Sequence, residues 1–177
     1  MSNTITTLVN RNRQFAGDFT ATDMPILPKL RTVLLTCIDA RVDPAHIFGL
    51  ELGDAVIMRN NGGRVTPAVV QEVSALAFMV SKMGGEGPPA FEFIIIQHTQ
   101  CGAQRFADPD FHRELKEQCG VDMSLSAISD PELSLREDVE RLRDAPEVPD
   151  YVVVSGLLYD VKTGQVREIV PPTKLAA

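Results

Sequence analysis

Hydrophobic and polar positions along the chain alternate between two periods. Leu30 to Thr36, Ala55 to Met58, Phe91 to Gln97 and Val152 to Tyr159 are short runs rich in aliphatic and β-branched residues. Runs of that length and type predict strands, and continuous apolar ones such as 91–97 suit strands buried in a parallel sheet. Between them the apolar positions recur every three or four residues. Val69, Val73, Leu76, Val80 and Met83 make one stripe, widened by Val70, Ala77 and Phe78, and predict a well-buried helix from Thr66-Pro67 to about Met83, ended by Gly84 to Pro89. Ser134 and Glu137 read as a capping box for a helix to about Asp144, with Leu135, Val139 and Leu142 inward. Phe111, Leu115 and Cys119 mark another helix with Gly120 behind it, and Cys119 reads as core. A short helix follows Asp43-Pro44, residues 121–133 read as loop, and Lys162-Thr163-Gly164 turns the fourth strand into a return strand near 166–170. Strands alternating with helices imply an α/β fold, a mainly parallel central sheet flanked by helices, with a C-terminal hairpin.

The first 20 residues stand apart. Ile5, Leu8, Val9 and Phe15 form a thin stripe on a helix over residues 3–18, too narrow to bury alone. They read as an N-terminal arm that needs another surface, such as a partner subunit. Residues 1–177 as a whole fit a single domain, with residues 1–20 as its N-terminal helical arm.

Composition narrows the function classes. A net charge of −7 argues against a nucleic-acid surface. No apolar run reaches the ~20 residues of a membrane span, and the first residues carry no secretory signal pattern. Three cysteines, an odd count, do not suggest a disulfide framework. A reducing cytoplasm is the expected compartment.

Two polar clusters sit where apolar runs end. Cys37, Asp39 and Arg41 follow the first strand, two residues apart, and in extended chain would project together. His98 and Cys101 follow the third, three apart, and on a first helical turn would share a face. A Cys2His set suits zinc and leaves a fourth position open, the arrangement of catalytic rather than structural zinc. Read blandly, the two thiols are small buried hydrophobes and Asp39–Arg41 is a salt bridge at a strand end. The polar neighbours of each thiol weigh against the first of these. Between the clusters, Arg59-Asn60-Asn61-Gly62-Gly63-Arg64 reads as a tight turn lining a cleft, with glycine where backbone must approach closely. His46 reads as a capping or surface residue and His112 as exposed.

Cys37-Ile38-Asp39-Ala40-Arg41, Val42-Asp43-Pro44, the 59–63 turn and His98-Thr99-Gln100-Cys101-Gly102 together resemble the β-class carbonic anhydrases, in particular their short bacterial members. The likeness runs from about Arg11 to the 159–164 hairpin. It implies zinc held by Cys37, His98 and Cys101, an Asp39–Arg41 catalytic dyad, CO2 and bicarbonate as substrates, and a homodimer or dimer of dimers. In such an enzyme hydroxide generated on zinc attacks CO2, Asp39 orients it, and Arg41 holds Asp39. Asp39 is also able to swing onto the zinc as a fourth ligand in a closed state, as in some members. Asn61 stands where the family usually has Ala, Gln100 where it has Asp, and Gln97 where it often has Gly or His. The absence of Trp argues against the Trp-containing bicarbonate pocket of some relatives. Two rival readings remain: a carbonyl sulfide or carbon disulfide hydrolase on the same fold, and a non-catalytic zinc or redox module.

Overall fold

The structure, a computed structural model, describes residues 3–83 and 91–175. Five strands form one sheet in the order β2-β1-β3-β4-β5. They are β1 (Thr32–Cys37), β2 (Val56–Asn60), β3 (Phe91–His98), β4 (Val152–Tyr159) and β5 (Val166–Lys174). The first four run parallel and β5 returns antiparallel to β4. The expected α/β architecture with its terminal hairpin is therefore present. Helices α1 (Thr4–Gly17), α2 (Pro44–Phe48), α3 (Pro67–Met83), α4 (Pro109–Cys119) and α5 (Pro131–Arg143) connect or flank the strands.

Residues two apart on a strand share a face, and that parity builds the core. Val33 and Leu35 of β1 pair with Phe93 and Ile95 of β3, all fully buried, and form one cluster with Val69, Val73, Ala77 and Val80 of α3 and Leu135, Val139 and Leu142 of α5. α3 and α5 thus both cover that face. The parallel crossovers place the carboxyl ends of β1 and β3 side by side, with Cys37 and His98 as their last residues.

Several boundaries differ from the sequence pattern, each for a local reason. β1 starts at Thr32 rather than Leu30, because Arg31 has a positive φ of 49° and Leu30 points to solvent. α3 buries one stripe only; Phe78, Met79 and Met83 are exposed, so it is not the well-buried helix expected. The stretch 84–89, expected to end it, lies outside the described residues. α4 buries none of its residues, and Cys119 is exposed rather than core. Its amphipathic pattern is real but rides on a surface element. His112 is half-buried, its Nε2 3.1 Å from Asp122 Oδ1. β5 continues past Val170 to Lys174, with Pro171 and Pro172 tolerated because it is an edge strand.

The largest difference concerns α5. Its cap is Asp130, whose side chain accepts from the Leu133 amide, and its first residue is Pro131. Ser134 and Glu137, read as a capping box, instead bind Arg64. Arg64 is 2% exposed. Its Nε donates to Asp138 Oδ2 at 2.8 Å, Nη2 to Glu137 Oε2 at 3.1 Å, and Nη1 to Ser134 Oγ at 3.2 Å and to the Ala127 carbonyl. Asp138 is fully buried and also accepts from Arg141 Nη1 at 2.7 Å and Gln97 Nε2 at 3.2 Å. Burial pushes the Asp138 carboxyl up, against the pull of the two arginines. Removing one member of such a pair strands the other in the core. Arg64→Met is therefore expected to cost about 3 kcal/mol, read as a lowered urea midpoint; a midpoint within experimental error of the parent would refute it.

Candidate metal centre

Cys37 ends β1, and the chain turns at once rather than continuing extended. The Val42 amide donates to the Asp39 carbonyl at 3.0 Å, so Asp39 and Arg41 sit in a turn beyond the strand and not along it. Arg59 on β2 holds that turn from behind. Its Nε donates to the Cys37 carbonyl at 3.0 Å, and its Nη2 to the carbonyls of Asp39 and Val42, both at 2.8 Å. From the sequence Arg59 reads only as part of a turn; here an arginine on the neighbouring strand caps this loop through backbone oxygens, which no side-chain pattern reveals.

His98 ends β3. Gln100 then adopts a left-handed φ of 55°, and Cys101 stands in extended conformation just before a 3₁₀ segment, Gly102–Ala107. The expectation that His98 and Cys101 share the first turn of a helix is thus corrected: a tight turn at the end of a strand brings them together. The Gly-rich turn packs as expected. A Cβ on Gly63 would lie 2.9 Å from the Thr36 carbonyl carbon, and one on Gly62 would meet Ile128 and Ala103 at 3.0 and 3.1 Å. Both have positive φ, so glycine there is required twice over.

The ligand atoms of Cys37, His98 and Cys101 all lie within 4.8 Å of one another, and all three residues are buried. The two sulfurs are 3.7 Å apart. Tetrahedral zinc with Zn–S bonds of ~2.3 Å would hold two thiolates at ~3.8 Å. His98 Nδ1 lies 2.9 Å from the Thr99 carbonyl, so it carries the proton, and Nε2 faces the sulfurs. That Nε2 is buried with no hydrogen-bond partner. A buried orphan of this kind costs free energy unless something accepts its lone pair. A metal ion does so. Without a cation the two thiols share a proton: the hydrogen bond from Cys101 lowers Cys37 to about 4, and the same contact pushes Cys101 up. A divalent cation is what allows both to be thiolates.

Asp39 lies beside this triad, its Oδ2 4.0 Å from His98 Nε2. Arg41 grips both of its oxygens, Nε to Oδ1 at 3.0 Å and Nη2 to Oδ2 at 2.7 Å, and the Arg41 amide adds a third bond to Oδ1 at 2.9 Å. These bonds hold the Asp39 carboxyl well below the usual carboxylate range. Arg41 Nη2 also donates to the Gln100 carbonyl at 3.1 Å, tying the two turns to each other. A cleft of about 320 Å³ opens beside Cys37 and Asp39, lined also by Ile38, Ala103, Phe106 and Arg105. His46 is exposed, 3.5 Å from Asp43, and takes no part in the centre. The arrangement offers a borderline metal site, an ionised acceptor beside it, and an apolar approach wide enough for a small molecule.

Comparison with known proteins agrees with this geometry. The family profile described as carbonic anhydrase matches residues 32–166. β-Carbonic anhydrase 1 of Mycobacterium tuberculosis is 30% identical, with 90% of this chain and 94% of that protein covered. The crystal structure of a carbonic anhydrase from Streptococcus mutans superposes with a TM-score of 0.81 at 34% identity, covering 96% of this chain and 99% of that one. A carbon disulfide hydrolase of Acidithiobacillus thiooxidans is 28% identical over 77% of this chain and 76% of its own length.

Proposed function

The chain belongs to the β-class carbonic anhydrases and catalyses the reversible hydration of CO2 to bicarbonate and a proton, and from that premise we propose that Cys37, His98 and Cys101 hold a zinc ion while Asp39 and Arg41 serve the reaction. The observation that carries the reading is the buried His98 Nε2, unpartnered and facing two sulfurs 3.7 Å apart. Two thiolates and an imidazole select zinc among the common divalent ions. When bound, zinc lowers the pKa of a coordinated water towards neutrality and so supplies a nucleophile at physiological pH. The chain's own residues do the remainder. Asp39, kept ionised by Arg41, accepts a hydrogen bond from the nucleophile and aims a lone pair at carbon. Arg59 keeps the Asp39 backbone from drifting. His98 is fixed in one tautomer by its Nδ1–H bond to Thr99. Ile38, Ala103 and Phe106 give the neutral, apolar CO2 a wall that bulk water does not favour. The grip of Arg41 on both oxygens of Asp39 supports the open arrangement over one with Asp39 as a fourth ligand.

The test is stopped-flow CO2 hydration at mildly alkaline pH on protein of measured zinc content. Rapid hydration abolished by an anionic zinc ligand is expected. Full zinc occupancy with no hydration, but with sulfide released from carbon disulfide, would replace this reading by the hydrolase one.

Assembly is part of the same proposal. α1 buries none of its own residues, and Ile5, Leu8 and Phe15 are more than half exposed. Residues 1–20 form an arm that packs on a second copy, giving a homodimer or a dimer of dimers around one catalytic domain per chain. Deleting the arm should lower the mass in sedimentation; an unchanged mass would count against it. Among the described residues no helix is long and apolar enough to cross a membrane. The free thiols fit a reducing compartment, the cytoplasm, which fractionation of native cells would check.

A further inference from the structure

The charges of the centre cancel. On the reading above, two thiolates balance a divalent ion, and Asp39 is matched by Arg41. The chain as a whole carries −7. Bicarbonate, an anion, therefore gains no net long-range attraction from the centre it must reach. Of the side chains lining the cleft, Arg105 alone is cationic. Among the described residues its guanidinium forms no ion pair and no side-chain hydrogen bond. It lies instead over the ring of Phe111, 4.7 Å from the centroid, with Phe106 packed against that ring at 6.2 Å. A cation–π contact fixes the side chain without neutralising it, so its charge faces the cleft at little cost in side-chain entropy.

We propose that Arg105 is an anion-capture residue. It draws bicarbonate into the cleft for dehydration and steadies departing bicarbonate during hydration, so that it sets the affinity of the enzyme for the anionic partner of the reaction and leaves that for CO2 alone. Phe111 is the rest on which it is held. One partly screened charge in a cleft supports an effect of about threefold to tenfold.

Arg105→Gln removes the charge from an exposed position, so zinc content and thermal midpoint should match the parent. The reaction equilibrium ties together the kcat/KM values of the two directions, so both fall by one factor, and the split is diagnostic. In dehydration the loss appears as a KM for bicarbonate raised about threefold to tenfold with kcat retained, while in hydration the KM for CO2 stays within about twofold. Inhibition by formate, a simple monoanion, weakens by the same factor. So does the line broadening of ¹³C-formate, which needs no turnover. Raised ionic strength should increase the parent's KM for bicarbonate and leave that of Arg105→Gln flat. Arg105→Lys keeps the charge and should recover most of the loss, and Phe111→Leu should fall between. An Arg105→Gln enzyme with the parent's bicarbonate KM and formate affinity would overturn the proposal, as would Arg105→Lys behaving like Arg105→Gln. Absence of CO2 hydration in the parent itself would instead remove the reading beneath it.

Discussion

Serine at position 101 is expected to leave the protein with less than about a tenth of an equivalent of zinc, and CO2 hydration should fall by at least about 10³-fold in step with the metal. Altering a group that merely supports a ligand commonly costs 10- to 100-fold in metal affinity, and Cys101 is proposed as a ligand itself. Serine is close to cysteine in size, and position 101 lies in extended backbone just before Gly102, outside the main apolar cluster. The fold should therefore survive, and near-parent circular dichroism separates loss of metal from loss of structure. The hydroxyl cannot replace the sulfur. Its proton is far harder to remove than that of a thiol, and zinc prefers the softer donor. With Cys101 gone, only one thiolate and one imidazole are left to hold the ion. Cys37→Ser should behave alike, because it too removes one of the two proposed thiolate ligands. The measurement is zinc by elemental analysis on protein purified without chelator, beside stopped-flow rates. A Cys101→Ser protein holding a full equivalent and turning over as the parent does would remove Cys101 from the centre.

Asp39→Asn should separate binding from rate. The metal should stay at about one equivalent while kcat/KM for CO2 hydration falls by about 10² to 10³, the range for loss of a positioned acceptor or proton-handling group. The geometry explains why a near-isostere fails. Oδ1 accepts two bonds, from Arg41 Nε and the Arg41 amide, and Oδ2 accepts from Arg41 Nη2 while lying 4.0 Å from His98 Nε2. An asparagine keeps the two bonds at Oδ1 by placing its oxygen there. Its NH2 then occupies the Oδ2 position, donor facing the Arg41 donor, and offers a proton to the nucleophile where a lone pair is needed. Turning the amide over breaks the bonds at Oδ1 instead. Either way the negative charge is lost, and Arg41 loses its partner. Full turnover in Asp39→Asn would end the proposed role. Loss of zinc together with rate would move Asp39 from the dyad to the ligand set.

What the sequence determined by itself follows from periodicity and chemistry, both written along the chain. Aliphatic runs of strand length between helical stripes could only alternate in a mostly parallel sheet, and the sheet is there. The chemistry-bearing residues lay at the ends of β1 and β3, where that topology exposes them. Tertiary structure decided how those ends meet. Cys37, Asp39 and Arg41 do not share an extended face; a turn clamped by Arg59 from β2 aims them. His98 and Cys101 meet through the left-handed φ of Gln100 rather than through a helix. Local pattern also misread Ser134 and Glu137, because a capping box and two anchors for a buried arginine look alike until Arg64 arrives from a segment some 70 residues away. Cys119 shows the same limit: an amphipathic stripe gives the period of a helix but not how much of the molecule lies against it. Sequence neighbours set backbone preference over a few residues, whereas burial, ion pairing and the approach of two sulfurs to 3.7 Å are settled by which distant segments the sheet places side by side.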